Sequence, residues 1–214
     1  MRHYVIFVYI TFIMRIISGI KRGMKLQSPS HDGSRPILDR VKESLFSVLY
    51  GYDLPKGAMV ADLFSGVGSL GLEALSRGAE FVSFIERDRK IQAILEKNIA
   101  RAGFVKQTKV IATDAFASGA VLEFGRPLYD LVFVDPPYPM TMESGAESRL
   151  ADLMGVLGSQ VADNGIVSVR TDKKVQLLSS YGKFEVIDRR TWGTMTICLF
   201  RPRRYINNQN ITNT

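Results

Sequence analysis

The stretch 59–77 constrains the fold more than any other part of the chain. Met59-Val60-Ala61-Asp62-Leu63-Phe64 is a short apolar run, Ser65-Gly66-Val67-Gly68-Ser69-Leu70-Gly71 follows directly, and residues 69–77 keep helical spacing. Strand, Gly-x-Gly-x-x-Gly loop and helix together make a nucleotide-binding βα turn. The glycines permit a tight turn and close approach of backbone to ligand, and the helix start supplies oriented N–H groups. The loop alone fits NAD, FAD or S-adenosylmethionine. Asp62, at the end of the strand, sits well beside a positively charged amino-acid moiety and poorly beside a pyrophosphate. Its alternative reading is an acid that orders the loop or caps the helix.

A second stretch carries the candidate chemistry. Leu131-Val132-Phe133-Val134 runs straight into Asp135-Pro136-Pro137-Tyr138. The apolar run, with Tyr129 and Asp130 ahead of it, reads as a parallel strand buried on both faces. Two prolines then end it, since neither can donate to a ladder. The outcome is a stiff loop with one carboxylate and one ring at the carboxyl end of a central strand, the edge where open α/β sheets bind ligands. The plain alternative is a strand stopped by prolines beside a solvated acid.

Strand and helix alternate through the rest. Residues 81–85 form a second strand ending at Glu86, placed to bind a ribose diol about 20 residues after the first glycine. A helix over 89–101 and a strand over 108–112 follow, then Asp114, which suits an adenine amino group or the N-cap of a helix before Phe116. The pattern predicts a polar loop over 140–147, a helix over 148–157, a strand over 165–170 and a short helix over 173–180. It closes with antiparallel strands over 184–190 and 194–200, with Cys198 in the core. Ahead of the glycine loop, residues 38–50 read as a helix with Asp39 as N-cap and with Arg40, Lys42 and Glu43 on its polar side.

Charge points outward to a partner. The 214 residues carry 28 Lys and Arg against 21 Asp and Glu, a net charge of +7, which favours a polyanion such as nucleic acid. Residues 14–27 alternate apolar and basic side chains around Gly19 and Gly23. They suggest a small β-ribbon whose Arg15, Lys21, Arg22 and Lys25 grip phosphates or form a solvated edge. One cysteine excludes a disulfide framework within the chain and fits a reducing cytoplasm. Only His3 and His31 are available, so histidine catalysis and a metal site are not expected. The apolar run 4–13 is shorter than the roughly 17–25 residues a bilayer span needs, no signal-cleavage site follows it, and Met14 offers a start that makes 1–13 an artefact of translation start. Residues 202–214 read as a disordered tail, leaving 14–201 as one domain with no second core.

The motifs resemble the S-adenosylmethionine-dependent bacterial methyltransferases of guanine N2 in 16S ribosomal RNA. Four stretches carry the resemblance: Arg15-Ile16-Ile17-Ser18-Gly19 with Arg22-Gly23; Arg35-Pro36 with residues 39–46; residues 62–79; and Val134-Asp135-Pro136-Pro137-Tyr138. It implies a Rossmann-like α/β fold, a seven-stranded, mostly parallel sheet with an antiparallel last strand, preceded by the small basic ribbon. It implies that Asp62 and the loop of Gly66, Gly68 and Gly71 hold the methionine end of the cofactor, Glu86 the ribose and Asp114 the adenine. Phe64 and Ala115 lie beside these, and Arg40 closes over the cofactor. The ribbon and Arg35 would face 16S rRNA of the small ribosomal subunit, and the enzyme would work as a cytoplasmic monomer. The chain departs from the family in residues 1–13, in Leu38, in its basic, Asn-rich tail, and in Arg170, where the family often has an acid at the end of the fifth strand.

Guanine N2 is a poor nucleophile because its lone pair is delocalised into the ring. Asp135 can accept one amino hydrogen and the Pro136 carbonyl the other, which favours a pyramidal nitrogen aimed at the methyl group. Tyr138 can stack on the base, a contact worth about 1–3 kcal/mol in single-strand binding. The acid-Pro-Pro-Tyr loop would serve adenine N6 in DNA or RNA equally well; the helix over 39–46 favours guanine. A nicotinamide or flavin enzyme leaves that loop and the basic ribbon without a task.

Overall fold

The computed structural model describes residues 14–29, 37–122 and 127–203. Eight strands make one sheet: β1 (Met59–Leu63), β2 (Phe81–Ile85), β3 (Thr108–Ile111), β4 (Tyr129–Val134), β5 (Val161–Asp172), β6 (Ser180–Tyr181), β7 (Phe184–Trp192) and β8 (Met195–Pro202). Their order is β3-β2-β1-β4-β5-β8-β7-β6. β1 to β5 are parallel neighbours, and β8 enters antiparallel between β5 and β7.

Helices cover both faces. α1 (Asp39–Tyr50), α2 (Ser69–Ser76) and α3 (Arg89–Ala102) pack on one side, α4 (Ala115–Ser118) and α5 (Arg149–Leu157) on the other. β4 shows why a continuous apolar run is required. Leu131 and Phe133 enter the first core with Phe46 of α1 and Leu72 of α2, while Val132 and Val134 enter the second with Leu150 and Leu153 of α5.

The sheet has one strand more than expected, because the two-residue β6 adds to the edge beside β7. No helix forms over 173–180. The Asp172 carboxylate accepts from Lys174 N at 2.9 Å, and the chain then runs extended so that Val175 and Leu177, two apart, both reach the core. Leu38, not Asp39, stands at the N-cap of α1; Asp39 is the first helical residue and pairs with Arg15 Nε at 2.7 Å. Lys42, expected on the polar side of α1, is buried.

Residues 14–27 form a narrow ribbon closed by an antiparallel bridge between Arg15 and Lys25 and a turn at Gly19–Lys21. It lies along α2. Ile17 N and Ser18 N donate to the Glu73 carboxylate at 2.7 and 3.0 Å, and Lys21 N donates to Ser76 Oγ at 2.9 Å.

Candidate active site

β1 hydrogen-bonds β2 on one side and β4 on the other, so the strand order reverses at β1, and loops leave its carboxyl edge in two directions. A crevice at such a point is where doubly wound sheets bind ligands. A cavity of about 660 Å³ opens there, within the range of cofactor pockets. The loop after β1 contributes Phe64 and Gly66, the end of β2 contributes Glu86, the turn after β3 contributes Asp114 and Ala115, and the end of β4 contributes Asp135 and Pro136. Four chain segments far apart in sequence therefore bring seven expected site residues to one wall.

The loop after β1 is built for close approach. Gly68 has φ +88°, a left-handed conformation that closes the turn into α2. A side chain at Gly71 would put its Cβ 2.3 Å from the Phe84 ring, so glycine here lets α2 sit down on β2. Phe64 is held at φ +59°, costly for a residue with a side chain, and its ring meets Phe116 edge-on at 4.8 Å. Glu86 fixes this loop from the neighbouring strand: Gly66 N donates to Oε2 at 3.0 Å and Asp88 N to Oε1 at 2.8 Å.

Asp62 lies beneath the cavity and is not part of its lining. Its Oδ2 accepts from Gly71 N at 2.8 Å, which pins the first turn of α2 to the end of β1. Burial raises the Asp62 pKa well above its ordinary value, and the charges of Asp135 and Glu86 push the same way against the Gly71 hydrogen bond. Asp114 caps α4, with Oδ1 accepting from Phe116 N at 3.0 Å, and still lines the cavity. Its other oxygen, Oδ2, meets Arg149 Nη2 at 3.4 Å, so the capping reading is the one the geometry shows. Asp135 is largely buried. Burial raises its pKa, and the ion pair with Arg170 opposes the rise.

The other expected residues are placed as follows. Gly68 and Gly71 shape the loop from behind the wall. Arg40 is exposed on the first turn of α1 and is not in the lining, whereas Ile37 is. Tyr138 opens the turn Tyr138–Thr141; its ring lies outside what is described. The ribbon meets the cavity only at its near end, where Met14 joins the lining. Its tip, with Lys21 and Arg22, sits by Ser76 at the far end of α2. An eight-residue helix is about 12 Å long, so those two cations lie along the flank and Arg15 and Lys25 nearer the mouth. Arg35, residues 1–13 and the tail from 204 lie outside the described residues.

Two features escaped the sequence reading. One is the bond between Arg170 and Asp135: the sequence marks Arg170 as a departure from the family and gives it no task. The other is Glu73, whose only outward sign is a lone acid in the otherwise uncharged helix Ser69–Ser76.

The lining suits a cation. Glu86, Asp114, Asp135 and Asp172 face it against Arg87 and Arg170, in a chain whose net charge is +7. A sulfonium with an α-amino group fits such a wall. The fold and this site define a Rossmann-like methyltransferase that uses S-adenosylmethionine. Residues 14–201 match the family described as Conserved hypothetical protein 95, and the chain belongs to it. The chain is 31% identical to the ribosomal RNA small subunit methyltransferase D of Haemophilus influenzae, over 88% of this chain and 93% of that one. It is 41% identical to the protein of the same name from Escherichia coli strain K12, over 74% of this chain and 75% of that one. The solved structure of yhhF from Escherichia coli superposes with a TM-score of 0.73 at 27% identity, covering 90% of this chain and 99% of that one.

Proposed function

We propose that the enzyme methylates the exocyclic N2 amine of a guanine in 16S rRNA of the small ribosomal subunit, acting as a cytoplasmic monomer. The observation that carries this reading is the position of Asp135 and Pro136. They stand on the same wall as Glu86 and the glycine loop, at the end of the central strand β4. The names of the ribosomal RNA methyltransferase relatives support the substrate class, and the basic ribbon running from the cavity mouth along α2 supports an RNA partner. Among the described residues no helix is long and apolar enough to cross a membrane.

Glu86 would hold the ribose hydroxyls, Asp114 and Ala115 the adenine, and Gly66 with Phe64 the methionine end. Asp62 would act from below, through the loop it pins and through its charge. When bound, S-adenosylmethionine supplies a methyl group on a positively charged sulfur, which becomes a neutral thioether as the methyl leaves. Asp135 accepts one N2 hydrogen and the Pro136 carbonyl the other, turning the nitrogen lone pair out of conjugation. As the new N–C bond forms, positive charge grows on N2, and the Asp135 carboxylate stabilises it and takes the proton directly or through water. The ring of Tyr138 is assigned to stacking on the base. The target must leave its helix stack to reach this wall; the cations of the ribbon would hold the flanking backbone.

The test is an Asp135→Ala variant incubated with tritiated cofactor and unmodified small subunits. It should bind S-adenosylmethionine within about threefold of wild type by calorimetry and transfer at least 100-fold more slowly. Full transfer by the variant would overturn the assignment. Nucleoside mass spectrometry of wild-type product should give N2-methylguanosine; N6-methyladenosine would move the substrate to adenine.

A further inference from the structure

β4 and β5 are parallel neighbours in a register that pairs Val134 with Val169. Asp135 and Arg170 therefore come next to each other at the same edge. The Arg170 guanidinium donates through Nε to Asp135 Oδ1. The two side chains are 11% and 16% exposed, so the pair is nearly out of water yet still on the cavity wall. Among the described residues Arg170 is the group bonded to that carboxylate.

The surroundings make this contact consequential. Asp62, below the wall on β1, lies close enough to Asp135 for the two carboxyls to repel, and Glu86, Asp114, Asp172 and Arg87 line the same cavity. Burial favours a neutral acid at position 135, and the Arg170 cation opposes it. A neutral acid is the wrong species for this site, because it donates a proton where an acceptor is needed. Of the two cations on the wall, Arg170 is the one bonded to Asp135.

We propose, on the reading of Asp135 given above, that Arg170 is a positioning residue for methyl transfer: its guanidinium grips Oδ1 and leaves Oδ2 of the Asp135 carboxylate turned to the substrate amine. The grip fixes the rotamer of the carboxylate and keeps it an anion through the pH range in which the enzyme works. Arg170 touches neither reacting atom. It acts through Asp135, so its removal changes how the rate depends on pH more than how the cofactor binds.

The experiment has two readouts. The first is the Asp135 carboxyl titration, followed by 13C NMR in protein labelled at aspartate, the signal identified by its loss in Asp135→Asn. In Arg170→Gln and Arg170→Met its midpoint should rise by at least one pH unit, a tenfold change in proton affinity; Arg170→Lys, which keeps the cation, should rise by less. The second is the pH profile of transfer to unmodified small subunits. The acidic limb should move upward in the two neutral variants by about as much as the titration, a roughly tenfold loss of kcat at a fixed pH on that limb that recovers at alkaline pH, while cofactor affinity stays within about threefold. Two neutral replacements are made so that a folding failure in one leaves the other to decide. An unmoved titration overturns the proposal, and so does a moved titration with an unmoved rate profile. If wild type transfers no methyl group to guanine, the functional reading fails, and the titration alone still judges whether Arg170 holds Asp135 as an anion.

Discussion

Replacing Glu73 with glutamine should damage this protein out of proportion to the one heavy atom changed. The carboxylate is fully buried in α2 and serves four donors: Ile17 N at 2.7 Å and Lys42 Nζ at 3.3 Å on Oε2, Ser18 N at 3.0 Å and Arg77 Nε at 2.7 Å on Oε1. An amide turns one of these oxygens into a donor facing two donors. It also leaves the Lys42 ammonium, 1% exposed, without its counter-ion. Breaking a buried ion pair from one side costs about 3–5 kcal/mol, a large share of the roughly 5–15 kcal/mol that holds a domain together. Burial already lowers the Lys42 pKa from its ordinary 10.5, and Glu73 opposes that shift. Between a lowered folded value and the ordinary unfolded one, the unfolded state binds more protons, so stability rises with pH. Loss of Glu73 widens that window. Urea denaturation should therefore show Glu73→Gln about 3–5 kcal/mol less stable at pH 7, with the gap narrowing toward pH 9.5. Trypsin should also cut the ribbon faster, at Lys21, Arg22 or Lys25. A variant within 1 kcal/mol of wild type at pH 7, or a gap independent of pH, would refute the reasoning.

Two further outcomes follow from acids on and beneath the cavity wall. Glu86→Gln keeps the shape of the side chain but removes the charge that fixes Gly66, and hydrogen bonds to charged groups are worth about 1.5–3 kcal/mol; calorimetry should show S-adenosylmethionine binding weakened about 10- to 100-fold. Asp62 has a folded pKa raised above its unfolded value, so the native state holds the proton longer and the ligand-free protein loses stability as pH rises through that window. Asp62→Asn should flatten this dependence and raise the midpoint of thermal unfolding relative to wild type above about pH 5, while weakening cofactor binding; parallel pH profiles of the two proteins would contradict it.

What could be read from the sequence was what repeats along it or sits in one short stretch. The run Leu131 to Val134 announced a strand buried on both faces because alternate residues feed two cores, and the glycine spacing after β1 announced the turn into α2. Asp135, Pro136, Glu86 and Asp114 could be placed because each lies within three residues of its strand's end, and parallel strands bring their carboxyl ends to one edge. Lys42 could not be placed. Its polar neighbours Arg40 and Glu43 suggest a solvated side, yet it stands three and four residues before Leu45 and Phe46 on the buried stripe, where a carboxylate 31 residues away in another helix and the Arg15 carbonyl receive its ammonium. Asp39 misled for a similar reason, since a cation in the ribbon pairs with it one residue inside the helix. Residues 173–180 have apolar side chains that suit a helix or an extended segment, and the Asp172 turn decides between them.

Arg170 marks the limit most clearly. As a residue it was conspicuous, a cation where the family resemblance leads one to expect an acid, but its task depends on the β4–β5 register, which no local pattern encodes. Once the register pairs Val134 with Val169, the departure acquires a physical sense. The wall that suits a cationic methyl donor is rich in carboxylates, and a carboxylate buried among others tends to take up a proton. An enzyme that needs one of them, Asp135, to remain an acceptor has to bring a cation to it without filling the cavity. A guanidinium from the adjacent strand end does so from within the wall. The acids that favour the cofactor and the base that preserves the acceptor therefore answer the same electrostatic problem.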